Sequence, residues 1–107
     1  MTGSIKKWQI CWAKVKFEDV DDFKIRPVLV MNSTMYMISA YKMTSVDKGD
    51  RFPYHKIKNW EAAGLRKPTY VMLNKPLKLS YESLCGYIGE LDLIDQFEIA
   101  NKLIRQK

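Results

Sequence analysis

Three short stretches of this chain carry side chains suited to phosphate chemistry. Arg26 opens the run Arg26-Pro27-Val28-Leu29-Val30-Met31 directly after an acidic loop, Thr44-Ser45 closes a long apolar stretch, and Pro68-Thr69-Tyr70-Val71 follows further on. A guanidinium at a strand start offers a fixed fork of donors that fits phosphate oxygens, and adjacent hydroxyls can donate to the same group if folding brings them beside it. Other chemistries find less material. His55 is the only histidine, so any Ser/His/Asp or Cys/His arrangement has to use it, and its sequence setting reads as a polar loop or strand end. Cys11 and Cys85 lie far apart within apolar runs, which suits small buried hydrophobes better than a disulfide framework. No His, Cys or carboxylate groups share ligand spacing, so neither a metal nor another cofactor is expected.

The charge is unevenly spread. Of 12 acidic residues, Glu18, Asp19, Asp21 and Asp22 crowd one short loop, which leaves the rest of the chain with eight carboxylates against 18 basic side chains. Such a field attracts polyanions. Aromatic and basic residues interleave at Lys7-Trp8, Tyr41-Lys42, Tyr54-His55-Lys56 and Lys58-Asn59-Trp60, a pattern shared by single-strand stacking platforms and half-buried strands. At 107 residues, 47% of them hydrophobic, the chain is expected to be one domain with a single modest core. No apolar run approaches the roughly 18 residues of a membrane helix, and no secretion signal follows the N-terminal lysines, so a soluble, cytoplasmic protein is expected.

The elements that must position these residues are mostly strands. Residues 8–17 alternate, with Ile10 and Trp12 on one face and Cys11, Ala13, Val15 and Phe17 on the other. Pro27 should stand at the start of a strand running through Met31. A longer strand is expected over 35–44, with both faces largely apolar and therefore both covered. Shorter ones are expected over 52–57, 69–73, 77–79 and 84–88. Asn59 and Gly64 bracket a single helical turn, as cap and left-handed exit. Asp92 should cap a terminal helix whose Leu93, Phe97, Ala100 and Ile104 form one packing stripe. Five to seven short strands and one helix suggest a small barrel with a helical lid.

In this order the pieces resemble the PemK/MazF toxins, endoribonucleases of bacterial toxin-antitoxin systems. The resemblance spans nearly the whole chain and rests on Ile10-Cys11-Trp12-Ala13, the polar loop, Arg26-Pro27-Val28-Leu29-Val30, Met43-Thr44-Ser45, Trp60-Glu61-Ala62-Ala63-Gly64-Leu65, Lys67-Pro68-Thr69-Tyr70-Val71 and Ile88-Gly89-Glu90-Leu91-Asp92. It implies an SH3-like β-barrel, a homodimer, and metal-independent cleavage of single-stranded RNA by 2′-hydroxyl attack, giving a 2′,3′-cyclic phosphate. It carries over Arg26 and Thr44, with Ser45 as a third member. Asp21 is the nearest counterpart of an acidic or histidine base, and Asp22 is its neighbour. RNA contacts are expected at Lys24, Lys42, Asn74 and Lys75. A cognate antitoxin tail is expected to meet Trp60 and Tyr54. Two positions depart from the pattern: Trp8-Gln9 stand where many members have Gly-Asp, and Asn74-Lys75 where several have Asp-Gln. The alternative implied by these departures is an inactive relative that binds RNA or protein.

Overall fold

The computed structural model describes residues 5–16, 23–46, 53–74 and 76–105. Among them are seven strands, β1 (Gln9–Lys16), β2 (Phe23–Ser33), β3 (Ile38–Thr44), β4 (Tyr54–Lys56), β5 (Tyr70–Met72), β6 (Leu77–Leu79) and β7 (Leu84–Glu90), followed by helix α1 (Leu93–Arg105). All pairings are antiparallel, in the order β4-β5-β3-β2-β1-β7, with β6 also joined to β3. The expected mainly β architecture with a C-terminal helix is the one found.

Where the central strands β1, β2 and β3 overlap, both faces are buried, which is why Ile10-Cys11, Val28-Leu29-Val30 and Ala40-Tyr41 are apolar at consecutive positions, whereas Trp12 and Lys14 on β1 and residues 23–26 on β2 are exposed. Ile10, Leu29, Tyr41 and Met43 enter one cluster together with Ile57, Leu73 and Ile99. Cys11, Ala13, Val28, Val30, Ile38 and Ala40 enter the other, closed by Leu79 from β6. The two covers of β3 thus come from its own chain.

Several boundaries differ from the sequence reading, each for a local reason. β2 begins at Phe23, ahead of Pro27. The proline is tolerated there because it lies opposite Trp12 of β1, while pairing with β3 starts only at Val28. β3 starts at Ile38 rather than Met35. Thr34 Oγ1 accepts the amides of Tyr36 at 3.3 Å and Met37 at 3.1 Å, a side-chain turn that holds the preceding residues out of the ladder and leaves Met35 and Tyr36 exposed. Cys85 is exposed, not a buried hydrophobe, whereas Cys11 is buried as expected.

The turn at 60–64 forms as expected, with the Ala63 amide donating to Asn59 O at 3.2 Å and Gly64 at φ +92°. Asn59 does not cap it through its side chain. Its Nδ2 donates to Asp92 Oδ2 at 2.9 Å, which ties the turn to the start of the helix. Two glycines let this turn lie against β7. A Cβ on Gly64 would stand 2.6 Å from the Ile88 carbonyl oxygen, and one on Gly89 would collide with the carbonyl of Ala63.

Asp92 caps α1 as expected, accepting the Ile94 amide at 3.1 Å. The packing face of the helix, however, is not the stripe read from the sequence. α1 buries Asp95 and Ile99 with Leu103 beside them, and exposes Leu93, Ile94, Phe97 and Ile104. Hydrophobic spacing alone selects the more apolar stripe; here the inward face is chosen by Asp95, whose partners lie far away in sequence.

Candidate active site

The candidate site opens where β2 and β3 part. Their pairing ends at Val28 and Lys42. Beyond that point β3 turns to β5, with Thr44 against Tyr70, while β2 continues beside β1 alone. Carried two residues past its last pair, the β2–β3 register sets Arg26 against Thr44. Between them lies a cavity of about 460 Å³, within the roughly 300–1,000 Å³ of small-ligand sites.

Arg26, Thr44 and Ser45 line this cavity together, as the resemblance implies. The Val46 amide donates to Thr44 Oγ1 at 3.1 Å, which orients the hydroxyl oxygen and leaves its proton for a further partner. Two cations missed as site residues, Arg66 and Lys67, line the same cavity. They follow the left-handed Gly64 and precede buried Thr69, whose hydroxyl donates to the Lys67 carbonyl at 2.9 Å, while the Leu65 amide donates to Trp60 O at 3.0 Å. Both ends of this segment are therefore fixed. The available signal was a basic pair at the junction of two motifs, with Arg66 between Trp60–Leu65 and Lys67–Val71 and Lys67 opening the second. Trp12 from β1 and Tyr87 from β7 complete the wall.

The other expected residues fall elsewhere. Lys24 is exposed on β2 and Lys42 is half-buried on β3, each two residues along its strand from Arg26 or Thr44, and neither borders the cavity. Asn74 is exposed beyond β5 and also lies off the cavity wall. Trp60 is half-buried against the core, and Tyr54 meets Tyr70 edge to face at 5.4 Å between ring centroids. Asp21, Asp22 and Lys75 lie outside the described residues.

A second polar cluster joins β4 to α1. His55 is buried, not in the polar loop or strand end read from the sequence, because its strand is covered by the helix. Its Nε2–H donates to Asp95 Oδ1 at 2.7 Å, and Nδ1 accepts from Lys102 Nζ at 3.1 Å, an arrangement that requires the neutral Nε2–H tautomer. Asp95 also accepts the backbone amides of Lys58 at 2.8 Å and Asn59 at 3.0 Å. Burial pushes the His55 pKa down, aided by the Lys102 charge and opposed by Asp95. Burial pushes the Asp95 carboxyl up, but the Lys58 amide, His55 and the Asn59 amide together hold it below the usual range. His55, Asp95 and Glu98 stand close enough to be metal ligands. Their donor atoms are already engaged: Lys102 meets His55 Nδ1, three hydrogen bonds occupy Asp95, and Lys58 Nζ meets Glu98 at 2.6 Å. The cluster is a clasp between strand and helix.

No protein-family model and no curated protein sequence matches the chain. Among solved structures it is similar to the Mycobacterium tuberculosis toxin MazF-mt6, with a TM-score of 0.67 and 18% sequence identity over 89% of this chain and 91% of that one. The fold is therefore that of a MazF toxin, as the sequence motifs led one to expect.

Proposed function

We propose that this chain is a PemK/MazF-type toxin that cleaves single-stranded RNA without a metal ion. The observation that carries the reading is the convergence of Arg26, Thr44 and Ser45 with Arg66 and Lys67 on one cavity of a fold similar to MazF-mt6. In the reaction the ribose 2′-oxygen attacks the adjacent phosphorus, its proton passes to a base, and the P–O5′ bond breaks as the leaving oxygen gains a proton. The products are a 2′,3′-cyclic phosphate and a free 5′-hydroxyl. Negative charge on the non-bridging oxygens rises in the transition state, so the Arg26 fork and the Thr44 hydroxyl stabilise it more than they stabilise the bound substrate. Ser45 adds a second hydroxyl, and Arg66 and Lys67, which line the same cavity, hold neighbouring phosphates.

Metal independence is taken from the family resemblance, and the described residues lining the cavity supply cations and hydroxyls that can carry the phosphate charge. Asp21, with Asp22 beside it, is the proposed base. As partners we propose a cognate antitoxin whose extended, acidic segment competes for the basic groove, with Trp60 and Tyr54 as receivers, and a second copy of this chain in a cytoplasmic homodimer. The exposed apolar face of α1 supports the dimer, since homodimer interfaces are more apolar than the free surface.

The test is incubation of the purified protein and its Arg26→Ala variant with a long single-stranded RNA in EDTA, with mapping of new ends. Discrete cuts bearing 5′-hydroxyls, lost in the variant, are expected. Stoichiometric RNA binding without cuts, from folded protein free of antitoxin, would leave only a binding module.

A further inference from the structure

Resting on the ribonuclease reading of the cavity, we propose that Trp12 and Tyr87 form base-stacking subsites, each offering a ring face to one unpaired nucleobase beside the phosphate bound at Arg26 and Thr44. Trp12 stands between buried Cys11 and Ala13 on β1, so its side chain turns to the opposite face of the strand. Its cross-strand neighbours are Pro27 on β2 and Gly86 on β7, neither of which has a long side chain to cover an indole. A Cβ placed on Gly86 would lie 3.8 Å from Trp12 Cδ1, so the indole edge rests over the glycine. The tryptophan is consequently 43% exposed, and Tyr87, which follows Gly86 on the edge strand β7 and pairs with Cys11, is 63% exposed.

Single exposed aromatics are ordinary on protein surfaces. These two border the same cavity as Arg26, Arg66 and Lys67, which couples π faces to phosphate-binding cations in one site. That pairing is what a single-stranded polynucleotide requires: cations follow the backbone while each aromatic takes one base face. A base in a duplex is already stacked on its neighbours and has no face to offer, so the subsites select unpaired strands. Hydrogen-bond readout is not needed for this selection.

The test uses a short fluorescein-labelled oligodeoxynucleotide, which lacks the attacking 2′-hydroxyl and so reports binding alone. Anisotropy titrations compare wild type with Tyr87→Leu, Tyr87→Phe and Trp12→Leu, each first shown by thermal melting to be folded. Tyr87→Leu and Trp12→Leu should each bind the single strand on the order of tenfold more weakly. Tyr87→Phe should retain wild-type affinity, and affinity for the same oligonucleotide annealed as a duplex should not change. Tyr87 is exposed, so its variants remain informative even if Trp12→Leu does not fold. Unchanged single-strand affinity in Tyr87→Leu, or equal losses on single strand and duplex, would overturn the subsites. RNA cleavage by wild type and by a Tyr87→Leu protein of unchanged affinity would keep the ribonuclease and remove the stacking. Loss of single-strand affinity in the variants of a wild type that never cuts RNA would keep the stacking and remove the ribonuclease.

Discussion

Arg26 and Thr44 are separated by 17 residues of chain, yet they line one cavity, and each supplies a different kind of donor. Under the proposed mechanism, Arg26→Ala should lower kcat on RNA by on the order of 10²–10³ with little change in melting temperature, as for loss of one oxyanion donor. Arg26→Lys should recover only part of the rate, because an ammonium keeps the charge and loses the fork. Single-turnover cleavage with circular dichroism melts checks both; an Arg26→Ala protein that cuts at the wild-type rate would rule the role out. His55 makes a separate prediction about pH. Its folded pKa lies below the unfolded value of about 6.5, so its contribution to stability is present above that value and is lost as pH falls. Asp95, held below the usual carboxylate range, adds a loss in the same direction at lower pH. Urea midpoints should therefore fall between about pH 8 and about pH 5, and His55→Gln should flatten that slope. An equal slope in the variant would show that another group controls the acid sensitivity.

Between elements, the tightest constraints are the clasp and the turn on β7. Asp95 is the acceptor for His55 and for the Lys58 and Asn59 amides, so Asp95→Ala leaves three donors buried or half-buried without it. A loss of roughly 1–3 kcal/mol or somewhat more in urea unfolding is expected, the cost of leaving buried donors without an acceptor. Gly89→Ala should also destabilise, since its Cβ would meet the Ala63 carbonyl and push the 60–64 turn off the strand. That turn leads into Arg66 and Lys67, so RNA affinity should fall with stability; unchanged melting in Gly89→Ala would mean that β7 and the turn can separate freely. Trp8 shows a substitution absorbed by the backbone. Where the resembling toxins often have glycine, this tryptophan takes φ +77°, and its half-buried ring packs against the core. The left-handed conformation costs roughly 1–2 kcal/mol for a residue with a Cβ, which burial of the ring offsets.

For the whole molecule, two surfaces lead to different experiments. Helix α1 exposes Phe97 at 68% and Leu93 at 77%. If that face joins two copies, Phe97→Lys should convert a dimer to a monomer in light scattering without loss of fold, whereas a variant of unchanged mass would place the dimer contact elsewhere. What the sequence by itself determined was the set of strands, the helix and the Arg26 and Thr44 motifs, because alternation, turn residues and capping are local and survive in any fold that uses them. β6 was legible as a short extended piece near Leu77 to Leu79, after the interruption at Lys75-Pro76. The tertiary structure alone decided which face of α1 packs inward, because the acceptor Asp95 and its donors at 55, 58 and 59 lie about forty residues apart. It alone also brought Arg66, Lys67, Trp12 and Tyr87 to Arg26. A cavity is made where two strands diverge, and that divergence depends on which partners β3 finds beyond Lys42, a matter of long-range pairing that no local pattern encodes.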